Sequence, residues 1–297
     1  MPGIDHNRKT TNVIFDPDIS NEIITKAIDE SAFMQLAQSM QIAGNGKKYQ
    51  TITGDPEPEW VGETEAKPVG KFTFGTKTVE PYKMAIIVPF SDEFKRDKNA
   101  LYNECVGRLP KLFGPKIDKT IMGTTPPGQN FDVLGNTQTV SLTPASGKTL
   151  YDQFIAVDAL IGANNYIMNG IALAPQGRSV VLSAVDADQH PLFTAGVQSG
   201  TINPILGANV SVKRGVYVAA GDSTPAILGL AGDFTKCSYG IVQQITGAVS
   251  EEATITYTEN GETQMLPLWQ HNMFAIRFEM EIAFMVRDET AFVRLTA

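Results

Sequence analysis

One stretch near the end of the chain constrains the fold more than any other. From Phe274 to Val286 the side chains alternate without a break. Phe274, Ile276, Phe278, Met280, Ile282, Phe284 and Val286 share one face, and Ala275, Arg277, Glu279, Glu281, Ala283 and Met285 share the other. Period two means extended chain. At about 3.3 Å per residue the strand spans on the order of 40 Å. Most strands have roughly five or six residues. A strand this long needs long partners and a helix across its apolar face. The segment from Phe94 to Leu109, opened by Ser91-Asp92-Glu93, predicts a helix of suitable length, with Phe94, Leu101, Cys105 and Leu109 at helical spacing. Pro110 should end or kink it. Gly114-Pro115 then opens a shorter piece with Ile117 and Ile121 on one face.

The second constraint is an extended ribbon between Glu59 and Ser91. From Lys71 to Val79 the side chains nearly alternate. Phe72, Phe74, Thr76 and Thr78 point one way, and Lys71, Thr73, Gly75 and Lys77 the other. Trp60-Val61 starts an earlier arm, and Lys67-Pro68-Val69-Gly70 reads as the turn between the arms. The second arm runs into Met84–Phe90, an apolar stretch expected to enter a core. A lone two-stranded ribbon is marginal in water and needs a surface to lie on. Nothing in the sequence supplies one within the same chain, so the partner is expected to be another copy.

The remaining segments read more quietly. Met1 to Asp18 is a polar arm, and Ser20 can cap a helix through Asp29. Gly44-Asn45-Gly46 turns into a strand from Lys48 to Thr53. Gly123 to Ser146 is a loop or boundary. Thr149 caps a helix reaching about Tyr166, with Leu150, Phe154, Val157 and Ile161 in a stripe. Asn169-Gly170 turns into a strand from Ile171 to Ala174, and Pro175 can open a short helix. Short strands follow at Val210–Lys213, Val216–Ala219, Ala226–Leu230 and Tyr239–Ile245, giving a compact α/β unit. Asn260-Gly261 marks a hairpin between Ala253–Thr258 and Glu262–Leu266.

Composition excludes several function classes. The net charge of −8 leaves no basic footprint for tight nucleic-acid binding. Cys105 and Cys237 are the two cysteines and lie far apart, which suits a reducing cytoplasm and argues against a disulfide framework. The opening Met1–Thr11 lacks the apolar stretch of a signal peptide, and no apolar run reaches the roughly 20 residues a spanning helix needs. His6, His190 and His271 are the three histidines, and none has metal-site spacing. No P-loop and no nucleophile elbow is present, although Ser146-Gly147-Lys148-Thr149 mimics a P-loop tail. Glu279 and Glu281 with Arg277 could form an acid/base group, but such a face more often meets another element through ion pairs. The sequence therefore predicts no enzyme, no cofactor and no metal.

In this order the parts resemble the major capsid protein family of tailed bacteriophages, with the Hong Kong phage-type shell fold. Trp60-Val61-Gly62-Glu63, Lys67-Pro68 and Phe72-x-Phe74 resemble that family's extended loop. Val88-Pro89-Phe90-Ser91-Asp92-Glu93 and Ile117-Asp118-x-x-Ile121-Met122-Gly123 resemble its spine helix. Gly229-Leu230-Ala231-Gly232-Asp233-Phe234, with Tyr239-Gly240-Ile241, resembles its Gly-Asp-Phe turn. Asn272-Met273, Arg277-x-Glu279 and Val286-x-Asp288-x-x-Ala291-Phe292 resemble its closing strand.

The resemblance implies an α+β fold with an N-terminal arm at 1–18, a first part of the peripheral domain at 19–53 and an extended loop, a β-hairpin, at 54–88. It places the spine helix of the peripheral domain at 89–130, an axial α/β domain at 131–248 and the closing strands at 249–297. It implies a shell of hexamers and pentamers around double-stranded DNA, assembled in the host cytoplasm and located in the virion. Further copies of the chain, a separate scaffolding protein, a portal and, where one is used, a decoration protein are the implied partners. The loop residues Trp60, Glu63, Lys67, Lys71, Phe72, Phe74 and Lys77 would touch a neighbouring subunit. Some members join a loop lysine to a neighbour's asparagine with a glutamate as base. Asn272 and Glu279 match that pair by spacing, a pattern that also suits plain packing. Pro110 and Pro115 depart from a continuous spine. An encapsulin, a bacterial nanocompartment shell of the same fold, is the alternative reading.

Overall fold

A computed structural model of the chain describes residues 30–54, 56–97, 99–144, 148–185, 190–193, 202, 204–221, 224–259 and 261–297. The expected arm before residue 19, the expected helix from Ser20 to Asp29, Ser146-Gly147 and Asn260 lie outside them, as do the side chains of Leu101 and Cys105.

Ser31 accepts the Met34 N–H (3.2 Å) and so caps α1, Ala32–Leu36. A two-residue strand β1, Gln38–Ser39, leads to β2 (Lys47–Gly54), β3 (Thr73–Val79) and β4 (Tyr82–Ser91). Ser91 accepts the Phe94 N–H (3.2 Å) at the start of α2 (Asp92–Asp97), whose first turn holds Asp92 and Glu93. Next come α3 (Asn99–Arg108), a 3-10 turn at Pro110–Leu112 and α4 (Phe113–Met122). The remaining elements are β5 (Gln138–Ser141), α5 (Leu150–Gly162), β6 (Gly170–Leu173), α6 (Pro175–Leu182), β7 (Asn209–Val212) and β8 (Ile227–Gly232). Then follow β9 (Cys237–Ser250), β10 (Thr254–Glu259), β11 (Glu262–Pro267), β12 (Met273–Val286) and β13 (Phe292–Thr296).

The long alternating strand is β12, and it organises the first sheet, in the order β1-β9-β12-β4. Antiparallel β4 runs beside it from Tyr82 (opposite Ile282) to Ser91 (opposite Met273). Antiparallel β9 runs from Cys237 (opposite Val286) to Ser250 (opposite Ala275). Its even-numbered residues, Phe274 through Val286, are all buried and share one core with Phe113, Ile117, Ile121 and Met122 of α4. Phe284 meets the edge of Phe33 at 5.9 Å, and Phe274 stacks on Phe90 at 5.9 Å. The odd-numbered face divides. Arg277, Glu279 and Glu281 stay polar and partly exposed, while Ala283 and Met285 are buried with Val79.

The second sheet, β5-β13-β8-β6-β7, is buried on both faces along its central strands β13, β8 and β6. Ile171 and Leu173 turn toward Phe154, Val157 and Ile161 of α5, while Ala172 between them turns toward the first core. Both faces being covered explains why β6 and β8 read as continuous apolar runs. Two of the crossings between the sheets are short, from β8 to β9 and from β12 to β13, and they are built alike. Asp233 Oδ1 accepts the Thr235 N–H (3.0 Å) and hydroxyl (2.7 Å); Asp288 Oδ1 accepts the Thr290 N–H (2.9 Å) and hydroxyl (2.7 Å). The first is the Gly-Asp-Phe turn, held also by Asn169, whose amide donates to Asp233 (2.7 Å). At the second, Tyr166 donates to Asp288 (2.6 Å), and that bond pushes the phenol up to about 12.

Several expectations need correction. Strand β3 pairs with β2, Lys47 opposite Val79 and Gly54 opposite Thr73, so the Trp60-Val61 segment is not the ribbon's first arm. Prolines 56, 58 and 68 deny that segment a ladder. Met84–Phe90 enters the core as expected through Met84, Ile86, Val88 and Phe90, but only along one face: it is an alternating edge strand with Ile87 49% exposed, and an edge is where Pro89 is tolerated. The helix over β12 is chiefly α4; α2 contributes no buried residue. Pro110 ends the upstream helix as expected, and Pro115 fits the first turn of α4. Val216–Ala219 is not a strand. A 3-10 turn at Arg214–Val216 lets Gly215 approach so closely that an added Cβ would lie 2.6 Å from Pro115 Cα. The expected loop 123–146 contains β5, β9 extends well past Ile245 within the first sheet, and 292–296 pairs with β8 and β5 of the second.

One buried carboxylate ties α1 to α4. Asp118 accepts the Ser31 hydroxyl (2.5 Å) and the N–H groups of Ala32 (2.8 Å) and Phe33 (3.4 Å). Burial nonetheless pushes it from 3.8 up to about 6. A folded value above the unfolded one means that the folded chain binds this proton more tightly. This group's contribution therefore rises as pH falls through about 6 and is complete below 3.8. Chemical denaturation between pH 7 and 4 should show a gain of about 2–3 kcal/mol in the native chain relative to Asp118→Asn. Parallel pH profiles for the two chains would contradict the assignment.

Candidate assembly surface

The β2–β3 ribbon is anchored at its base and free at its tip. At the base Val79 is buried with Ala283 and Met285, and Tyr49, Met40 and Ile42 pack beside them. Lys77 Nζ lies 2.6 Å from Asp132 and donates to the Val286 carbonyl, and Asp132 in turn accepts the Val286 N–H (2.7 Å). The ribbon is thus pinned to the end of β12 through a half-buried ion pair. Of the expected contact residues, Lys77 is the one committed to its own chain.

Beyond Thr73 the chain leaves the ladder and forms the tip. Gly62 N–H donates to Glu65 Oε2 (2.9 Å), and Thr64 adopts a left-handed conformation (φ 72°), which closes a tight local turn. Pro56 crosses Gly70 so closely that a Cβ at Gly70 would sit 2.3 Å from Pro56 Cβ, a position only glycine fills. The tip buries none of its apolar side chains. Trp60 is fully exposed, Val69 is 97% exposed and Phe72 48%, and Phe74 at the adjoining end of β3 is 71% exposed. Glu63, Lys67 and Lys71 are also exposed. Exposed aromatics gathered on one projecting element make it a candidate contact surface.

A second ribbon was not singled out from the sequence as a surface. Among the described residues, strands β10 and β11 pair only with each other, with Glu259 opposite Glu262 at the turn. Met265 is 72% exposed, and Trp269 just beyond the ribbon is 76% exposed. The hairpin itself was legible from Asn260-Gly261; its exposure was not, because alternation says which residues share a face and not whether that face is covered.

The polar face of β12 is an ion-pair ladder. Lys83 lies 3.1 Å from Glu281 and 3.9 Å from Glu279, and Arg277 lies 3.4 Å from Glu279. The two glutamates are shared among cations rather than set up as an acid and a base. Asn272, at φ 51°, ends the 3-10 turn before β12, and its carbonyl accepts the Asp92 N–H (3.0 Å). Seven positions of mostly extended chain, roughly 20 Å, separate it from Glu279. One chain therefore cannot bring these two side chains together. Burial pushes the Cys237 thiol well above its ordinary value, which leaves it a poor nucleophile. Among the described residues no His, Cys, Asp or Glu cluster could hold a metal, and no helix is long and apolar enough to cross a membrane.

Comparison with known proteins agrees with this architecture. The model of the phage capsid family matches residues 11–297. The chain is 28% identical to the probable major capsid protein of Mycobacterium phage L5 over 292 residues, covering 95% of this chain and 88% of that one. It is 24% identical to the major capsid protein of Staphylococcus phage 80alpha, covering 94% and 83%. A solved structure from Gordonia phage Cozz superposes with a TM-score of 0.71 at 20% identity, over 90% of this chain and 86% of that one. The family match takes in both sheets and both ribbons, and the chain belongs to the phage capsid family.

Proposed function

We propose that this chain is the major capsid protein of a tailed bacteriophage, which assembles as hexamers and pentamers into the icosahedral head shell around the double-stranded DNA. The carrying observation is the β2–β3 ribbon, whose base is built into the core while its aromatic tip finds no partner among the described residues. In the shell the tip lies on the next subunit, with Trp60, Glu63, Lys67, Lys71, Phe72 and Phe74 in contact. Lys77 holds the strap from behind. The first sheet with its helices forms the peripheral domain and the second sheet the axial domain. The arm at 1–18 reaches a further subunit. A portal and, where they are used, a separate scaffolding protein and a decoration protein are the further partners. An acidic chain of net charge −8 encloses DNA without gripping it. No catalytic role is assigned.

Contacts between subunits are non-covalent in this reading, since Glu279 is engaged by Lys83 and Arg277 and Lys77 by Asp132. The expressed full chain, with scaffold if required, should elute as very large particles in size exclusion. On denaturing gels it should then run as a single band near 32.2 kDa. A small oligomer under every assembly condition would refute the shell, and a ladder of multimers would refute the non-covalent contact.

A further inference from the structure

The outer edge of the first sheet carries a pocket of 250 Å³ where β4 meets α4. Met84, Ala85, Ile86, Leu112, Phe113 and Lys116 line it. Leu112 is 44% exposed there despite its size. The charge on the α4 side of the pocket has one sign. Lys111, Lys116 and Lys119 are all exposed, whereas Asp118, the one carboxylate between Leu109 and Gly123, is wholly buried. An apolar hollow beside exposed ammonium groups fits an aromatic side chain carried on an acidic segment. The ring fills the hollow, its face attracts the cation, and its flanks meet the remaining positive charge.

The chain contains such a segment. Trp60 is fully exposed and stands between Glu57 and Glu59 on one side and Glu63 and Glu65 on the other, with no Lys or Arg between Gly54 and Lys67. Trp269, the other tryptophan, has Leu268, Gln270 and His271 beside it and no such acidic run. The ribbon does not bring Trp60 to the pocket of its own chain, where the indole is wholly in solvent. We infer that Trp60 seats in the β4–α4 pocket of a second copy, with the tip glutamates against Lys111, Lys116 and Lys119. This rests on the shell reading and names its contact. Seating an indole removes on the order of 200 Å² from water, and a buried tryptophan ringed by charge pairs is the usual makeup of an interface anchor. Because those pairs lie at an exposed rim, assembly should weaken as salt rises.

The test uses the full chain with Trp269→Phe, which leaves Trp60 as the sole tryptophan. Its emission should shift to the blue when subunits enter shells. In the unaltered background, Lys116→Glu with Lys119→Glu should lower shell yield about tenfold through like-charge contact, with subunit circular dichroism unchanged. Adding Glu59→Lys and Glu63→Lys to that chain should restore the yield. Shells in which Trp60 emission is unchanged would overturn the pocket assignment and leave the shell intact. So would undiminished yield from the lysine variant, or a loss that the reversed glutamates do not restore. Failure of the unaltered chain to form shells under any condition would instead overturn the shell reading.

Discussion

Replacing Phe278 with Asp should leave no folded subunit. Phe278 is 1% exposed at the middle of β12, opposite Ile86 on one side and Gly247 on the other. Loss of the ring alone costs about 3–5 kcal/mol. The carboxylate adds a buried polar group with no partner, at a further cost of a few kcal/mol even when protonated. Together these approach the whole stability of an ordinary domain, roughly 5–15 kcal/mol. Phe278→Leu, which keeps an apolar side chain of similar volume, should fold and lose only about 1–1.5 kcal/mol. Soluble yield and circular dichroism of the two variants measure this. A normally folded Asp variant would mean that the even-numbered face of β12 does not face the core.

Replacing Phe72 and Phe74 together with Asp should have the opposite signature: an intact subunit that does not assemble. Both side chains are exposed on the ribbon, so their effect on folding should stay within about 0.5 kcal/mol each. That moves a melting temperature by roughly 1–3 °C. The base of the ribbon is untouched, because Val79, Tyr49 and the Lys77–Asp132 pair hold it. Assembly suffers because the apolar contact is lost and each carboxylate put in its place must give up water when the interface closes. The same defect repeats at every copy of the interface. A large fall in the subunit's melting temperature would show instead that the tip packs within its own chain.

The parts of the fold that were legible in the sequence are those whose signal is local. The alternation from Phe274 to Val286, the Thr149 cap over the Leu150–Ile161 stripe and the stop at Pro110 all state their structure within a few residues. What was missed depends on residues far apart. Strand β5 lies in a stretch rich in turn formers and exists because β13, from the far end of the chain, runs parallel beside it. Strand β9 reads as ending near Thr246-Gly247, yet it continues because Gly247 faces the large Phe278 across the ladder. The ribbon is legible, but Trp60-Val61 reads as an arm because two apolar residues mimic a strand start. The true partner, Lys47–Gly54, is chosen at the base by contacts to Met285 that no local pattern announces. The exposed aromatic tip of the proposed contact surface is legible in the sequence. The pocket is not, since its lining comes from 84–86 and 112–116, which meet only in the fold.

The central claim is that the ribbon of one subunit finds its partner in the next copy of the same chain. Electron micrographs of the unaltered chain and the Phe72→Asp, Phe74→Asp chain, expressed and assembled side by side, test it most directly. The account predicts closed shells from the first and folded, dispersed subunits from the second. Shells from both, or from neither, would contradict it.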